Sequence, residues 1–197
     1  MTLVAVTQRM FHADGNELRE GLDTRWRAFL RICGITALPL PNDPEMAIAL
    51  LEHVRPAGIL LTGGDDLQVL GGTAIEREDT EIALLEWATG RGLPVHGVCR
   101  GMQFLLHRTG VPLEAVEGHV GTHHLLDGSD RVVNSYHVFG AHQVDDQWRV
   151  TARSGDVIEA VEHRGAPISA TMWHPERESS AAPADVHLFQ TRFGASR

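Results

Sequence analysis

Lysine is missing from this chain: all 17 basic residues among its 197 are arginine. Without a side-chain amine the protein cannot form a Schiff base, anchor pyridoxal phosphate or fill the lysine position of a phosphate-binding loop. Cysteine is nearly as scarce. Cys33 and Cys99 are the only two, too few for a disulfide framework and not at a metal-like spacing. No apolar run reaches the ~20 residues that cross a bilayer, and the N-terminus opens directly on Leu3-Val4-Ala5-Val6 with neither charged leader nor cleavage site. These absences predict a soluble protein of the reducing cytoplasm. Positive charge is in deficit as well. A formal net charge of −9 argues against a general nucleic-acid binder, which needs a positive surface to displace counterions, so an anionic ligand would have to meet a local arginine cluster. Repeats, low-complexity tracts and linkers are also lacking. A chain of this length buries on the order of 70% of its unfolded surface, so one domain over residues 1–197 is expected.

What is present alternates between strand and helix. Leu3 to Thr7 is an apolar run fit for a buried strand, and Leu22, Trp26, Phe29 and Cys33 fall on one face of a helix ended by Gly34. Thr36 to Leu40 reads as extended. Asn42-Asp43-Pro44 supplies a cap and a first-turn proline for a helix through Val54. Gly58 to Thr62 is the next strand, closed by Gly63-Gly64, and a helix runs from about Asp79 to Gly90. The second half is richer in β pattern, with runs at Val111 to Val116, Arg131 to His137, Trp148 to Ala152, Val157 to His163 and Ile168 to Trp173 before a closing helix from Ala184 to Gly194. The pattern predicts an α/β fold with a mostly parallel sheet and its site at the carboxyl ends of the strands.

Two motifs carry chemistry. Gly97-Val98-Cys99-Arg100-Gly101 follows Leu93-Pro94-Val95 and precedes Met102-Gln103-Phe104, which reads as strand, sharp turn and helix with cysteine at the apex. There the glycines permit close packing, and a negative sulfur is favoured over the positive end of the new helix. A buried cysteine in a βα turn would look the same. Downstream stands Met172-Trp173-His174-Pro175-Glu176-Arg177. A residue before proline is pushed to extended conformation, where side chains two apart share a side, so His174 and Glu176 can be neighbours. A thiol needs a base, and the base needs an acceptor that fixes its tautomer; Cys99, His174 and Glu176 can fill those roles. As structure alone, His-Pro-Glu is an ordinary strand exit.

The stretch from Gly97 to Gln103, the Gly63-Gly64 turn and His174-Pro175-Glu176 together resemble the class I glutamine amidotransferase superfamily, and Val133-Asn134-Ser135-Tyr136-His137 resembles its γ-glutamyl hydrolase branch. Val6 to Arg9, Arg19 to Trp26 and Met172 to Glu178 are similar to γ-glutamyl-CDP-amidate hydrolases of capsule and surface-polysaccharide phosphoramidate pathways. The resemblance implies a flavodoxin-like three-layer sandwich. It also implies a glutamyl-thioester mechanism without a cofactor, with His174 rather than His137 as base. By the same resemblance the N–H groups of Gly64 and Arg100 form an oxyanion hole. Gln103 holds the glutamyl moiety, with Gly63, Asn134, Ser135, Tyr136 and His137 around the substrate. Arg9 and Arg177, with Arg25 as a further candidate, can meet phosphate on the leaving group.

Asp65-Asp66 stands where many relatives have proline after the glycines, and Met172-Trp173 leads into His174; both departures are read as marks of specificity. Histidines 119, 123 and 124 lie in what reads as a flexible glycine-rich loop, and imidazoles alone give no consistent ligand set, so no metal is assigned. The resemblance implies γ-glutamyl-CDP-amidate as the substrate. Alternatives are another γ-glutamyl amine such as γ-glutamyl-γ-aminobutyrate, a glutaminase chain serving a synthetase partner, or a binding or sensor protein with a reactive elbow cysteine. An apolar helix face would serve a core or a homodimer interface alike.

Overall fold

In a computed structural model, which describes residues 1–195, the apolar runs assemble into one seven-stranded sheet flanked by helices. The elements in chain order are β1 (Thr2–Val6), β2 (Arg9–His12), β3 (Leu18–Gly21), α1 (Thr24–Ile32), β4 (Ile35–Pro39), α2 (Pro44–Val54), β5 (Ile59–Leu61), α3 (Ile75–Thr89), β6 (Val95–Val98) and α4 (Arg100–Arg108). Then follow β7 (Glu114–Ala115), β8 (Val120–Leu125), β9 (Val132–Tyr136), β10 (Phe139–Gly140), β11 (Trp148–Ser154), β12 (Val157–His163), β13 (Ile168–Thr171) and α5 (Pro183–Phe193). The main sheet runs β11-β12-β13-β6-β5-β1-β4. From β4 to β13 its neighbours pair in parallel, whereas β12 and β11 are added antiparallel. This is the flavodoxin-like α/β layering with later antiparallel additions.

The central parallel strands β5 and β6 are buried on both faces, which is why they are apolar throughout or nearly so. On one face Leu51, Leu84, Phe104 and Leu105 bring in α2, α3 and α4. On the other, Trp26, Phe29, Phe189 and Phe193 bring in α1 and α5, with Phe29 edge-on to Phe189 at 4.9 Å between ring centroids. Each fully buried aromatic of this kind contributes about 1.5–3 kcal/mol. Cys33 lies in that aromatic layer, where burial, reinforced by the Asp185 charge, pushes its thiol up to about 12. It is a packing residue.

Local signals account for most element ends. The Asp43 side chain accepts the Met46 N–H at 2.8 Å with Pro44 in the first turn, and Arg55 ends α2 in the left-handed conformation. Four expectations change. The run from Val111 to Val116 shrinks to the short β7, and the supposed flexible loop at 118–124 is largely β8, paired antiparallel with β9. The strand expected through Trp173 stops at Thr171, because Pro175 ends extended pairing. The third helix begins at Ile75 rather than near Asp79. In addition, β2 and β3 form a hairpin that the sequence did not announce, since its residues are almost all exposed and lack an alternating apolar pattern. Among the described residues no helix is long and apolar enough to cross a membrane.

Candidate functional site

Four parallel strands end at one place. β1 leads to Arg9, β5 to Gly63-Gly64, β6 to Cys99 and β13 to His174, the position where sheets of this kind bind ligands. Cys99 sits at the turn between β6 and α4 with φ +53° and ψ −106°, a backbone region that costs a residue other than glycine about 1–3 kcal/mol. The strain is held from three directions. The Cys99 N–H donates to Thr171 O at 2.8 Å, and its carbonyl accepts from Met102 N at 2.9 Å and Gln103 N at 3.1 Å. The flanking glycines are required by proximity: a Cβ on Gly101 would lie 2.3 Å from Leu61 O, and one on Gly97 would lie 2.6 Å from the Gly101 carbonyl.

His174 is fixed at both ends. Its backbone N–H donates to Asn134 Oδ1 at 2.9 Å while Asn134 Nδ2 donates to its carbonyl at 2.8 Å. Its Nδ1 lies 2.7 Å from Glu176 Oε1, so Nδ1–H is the donor and Nε2 is left for the sulfur. The imidazole packs against Gly63, whose Cβ would fall 2.5 Å from Cε1, and Tyr136 stands edge-on to it at 5.7 Å. Burial alone would lower the His174 pKa. The charge of the adjoining Cys99 sulfur and then the Glu176 carboxylate outweigh that and raise it to about 9. The ring therefore keeps its proton across the neutral range.

The glycine turn is held from below by a buried ionic network that sequence reasoning missed. Arg77, fully buried, donates from Nη1 to Gly64 O at 2.6 Å and to Asp65 Oδ2 at 3.1 Å, from Nη2 to Thr62 O at 2.7 Å, and from Nε to Glu81 Oε1 at 3.1 Å. Glu81 also accepts from the buried Arg100. Burial works against the charge on Arg77 and on Glu81, but the two arginines hold the Glu81 carboxyl below its usual range. Arginine and glutamate four apart on an otherwise inward-facing helix turn were the available signal. Gly64 and Arg100 both stand beside Cys99 in the lining of one cavity.

Two cavities meet here. One, of about 320 Å³, is lined by Cys99, Gln103, Tyr136, His137, Val138 and His174 among others. The other, of about 470 Å³, lies under the β2–β3 hairpin against Arg9, Phe11, Trp26, Gly63, Glu176 and Arg177. Arg9, Gly64, His174 and Arg177 border both. Gln103 donates from its amide to Phe139 O at 2.8 Å, which orients it along the smaller cavity. Arg177 lies over the Tyr136 ring at 4.6 Å. Arg9 is half exposed and pairs with Asp65 at 3.4 Å.

Several expected substrate contacts lie elsewhere. Asn134 spends its amide on the His174 backbone, and also donates to Glu178 at 2.5 Å; it positions the histidine rather than facing the cavity. Ser135 is buried with its hydroxyl on His119 O at 2.7 Å. His137 borders the smaller cavity, but its ring nitrogens face His119, Glu159 and Phe139 O. Arg25 is bound to its own helix cap, Asp23, and is absent from the cavity lining. Met172 and Trp173 do not mark specificity: both are buried, and Trp173 donates to Asp185 at 2.9 Å, anchoring α5. Asp65 does bear on the site, because it accepts the Met10 N–H at 2.9 Å and so ties the hairpin to the glycine turn.

The sequence profile described as "Glutamine amidotransferase class-I" matches residues 31–193, and the chain belongs to that family. Among its relatives are the γ-glutamyl-CDP-amidate hydrolase of Campylobacter jejuni, 28% identical over 89% of this chain and 90% of that protein, and a glutamine-hydrolysing GMP synthase component of Thermococcus kodakarensis, 26% identical over 82% and 87%. The γ-glutamyl-γ-aminobutyrate hydrolase of Escherichia coli is 30% identical over 58% of each chain. The fold is shared with a crystal structure of a GMP synthase component from Thermoplasma acidophilum, at a TM-score of 0.70 and 20% identity over 99% of this chain and 94% of that one.

Proposed function

We propose that this protein is a cysteine-dependent γ-glutamyl hydrolase whose substrate is γ-glutamyl-CDP-amidate, cleaved to glutamate and cytidine diphosphoramidate. What carries the reading is the meeting of the Cys99 sulfur, the His174 imidazole and the Glu176 carboxylate where two cavities join. The sulfur, its proton held by His174, attacks the γ-carbonyl. The N–H groups of Gly64 and Arg100 receive the oxyanion, an interaction worth several kcal/mol of barrier per donor. His174 then returns the proton to the departing nitrogen, leaving a glutamyl thioester. Water, deprotonated by the same imidazole, attacks the thioester, releasing glutamate and restoring the thiol.

The smaller cavity, with Gln103 along it, suits the glutamyl end. The larger one exceeds what departing ammonia needs, and it offers Phe11 with the guanidinium groups of Arg9 and Arg177, a lining suited to a base and a pyrophosphate. Likeness to the Campylobacter hydrolase supports the same leaving group, whereas likeness to GMP synthase components supports a second reading, a glutaminase that feeds a synthetase. Glutamate release from γ-glutamyl-CDP-amidate, γ-glutamyl-γ-aminobutyrate and glutamine separates them. The proposal expects the nucleotide-linked compound to be turned over fastest by the protein alone. Arg9→Gln with Arg177→Gln should raise KM for that compound and leave the simple amine unchanged. Efficient hydrolysis of the amine with none of the nucleotide compound would overturn the substrate, and activity only in the presence of a synthetase would establish the second reading.

A further inference from the structure

Beside the active-site cavity lies a cluster of His119, His137 and Glu159, brought together from the residue before β8, the residue just past β9 and the middle of β12. His119 Nδ1 lies 3.2 Å from His137 Nε2, and Glu159 Oε1 lies 3.4 Å from the first and 3.5 Å from the second. All three side chains are buried. The three atoms thus form a nearly equilateral triangle. Around an ion bound at about 2.0–2.1 Å to imidazole nitrogen and about 2.0–2.2 Å to carboxylate oxygen, tetrahedral ligands stand roughly 3.3–3.5 Å apart. The observed edges are close to those of one face of that tetrahedron.

Two further features point to a ligand. Glu159 is completely buried, and neither of its carboxylate oxygens accepts a hydrogen bond from any described residue, a condition a bare carboxylate does not sustain without cost. His137 Nδ1 faces Phe139 O at 3.1 Å, so its proton resides there and the Nε2 lone pair is aimed at the cluster. That is the outer-shell hydrogen bond that orients metal-bound imidazoles. The Ser135 hydroxyl and the His137 N–H both hold His119 O, fixing the position of the first ligand.

We propose that His119, His137 and Glu159 bind a divalent transition cation of the zinc class, with water as fourth ligand. The cation ties β8 and β9 to β12 and so braces the wall that carries Val138 into the glutamyl cavity and holds Phe139 O against Gln103. Sequence reasoning set the 118–124 histidines aside for want of a carboxylate; the missing ligand comes from β12, about 40 residues away. The inference is independent of the proposed substrate.

Its test is metal uptake. Protein carrying Cys99→Ala, which removes the thiolate as a competing ligand, is stripped with chelator, titrated with cobalt(II) and then displaced with zinc(II). One equivalent of cobalt should bind with the visible absorption of a tetrahedral nitrogen and oxygen site, and zinc should abolish that absorption and raise the Tm. Glu159→Gln, of nearly identical shape, should weaken binding by more than the roughly 10–100-fold that loss of an outer-shell partner costs; His119→Ala should do the same, and His123→Ala on the adjoining strand should not. The proposal fails if the folded, stripped protein takes up no stoichiometric cobalt, or if uptake survives His119→Ala with Glu159→Gln.

Discussion

A residue other than glycine held at φ +53° is strained for a reason, and at Cys99 the reason is aim: the turn lifts the sulfur off the strand and sets it before His174. The strain inverts an ordinary preference. At most positions alanine is more stable than glycine by roughly 0.5–1 kcal/mol, but at positive φ the order reverses. Cys99→Gly should therefore unfold at higher denaturant than Cys99→Ala, by about 1 kcal/mol, with both inactive; the reverse order would mean that the elbow is relaxed. His174 gives a second prediction at this scale. Burial opposes its charge, while Cys99 and then Glu176 raise its pKa to about 9. Under the proposed mechanism the leaving nitrogen takes its proton from this ring, so as the pH rises through that value kcat/KM should fall on an alkaline limb near pH 9. Glu176→Gln keeps an acceptor on Nδ1 but removes the charge. It should move that limb to lower pH by roughly one unit and cut kcat, which a pH–rate profile reads directly.

At the scale of elements, the site depends on how closely backbones approach. Gly101 and Gly63 look alike in sequence, yet a methyl group meets different things at each. At Gly101 it would lie 2.3 Å from the Leu61 carbonyl, a backbone atom inside the sheet, so Gly101→Ala should destabilise the whole protein by about 2–4 kcal/mol. At Gly63 it meets the His174 ring at 2.5 Å, which can tilt. Gly63→Ala should leave a folded protein whose kcat falls about a hundredfold, and comparing melting curves with kcat for the two variants separates the effects. The same distinction explains what was legible in the chain. The parallel strands, the helices α1, α2 and α5 and the elbow carry local signals of period, cap and glycine, and their order along the chain predicts the layered fold. Cys99, His174 and Glu176 were legible because strand, turn and proline announce where each side chain points. The β2–β3 hairpin was not, because its stability comes from Asp65 and from Glu20, which accepts the Asn42 N–H, rather than from its own pattern. Nor was the use of Asn134 and Ser135. Alternation along β9 shows that neighbours face opposite ways, but only the position of His174 and His119 decides what each face meets.

For the whole molecule, two buried histidines with opposite shifts shape the response to pH. His96, in β6 with its Nδ1 2.9 Å from Ser169 Oγ, is pushed down to about 3 by burial, with Arg192 adding to it. Unfolded, it takes a proton near pH 6.5; folded, it refuses one until about pH 3. Its contribution to stability is therefore complete above about 6.5 and is lost as the pH falls toward 3. His174 works in the opposite direction, since its folded pKa of about 9 lies above the unfolded value: its contribution is complete below 6.5 and is lost as the pH rises toward 9. The sum is a dome with its crest near pH 6.5 and flanks no steeper than about 1.4 kcal/mol per pH unit from each histidine. Asp23, lowered to about 2 by its hydrogen bonds to Arg25, loses its contribution only below about 3.8 and leaves the crest in place. Urea unfolding across this range should trace the dome. His96→Leu with Ser169→Ala should flatten the acid flank and leave the alkaline one, while Cys99→Ala with Glu176→Gln should do the opposite. A single variant pair that flattened both flanks would show that the two histidines do not titrate independently, contrary to their separate surroundings: His96 meets Ser169 and the Phe189 ring, whereas His174 meets Cys99 and Glu176.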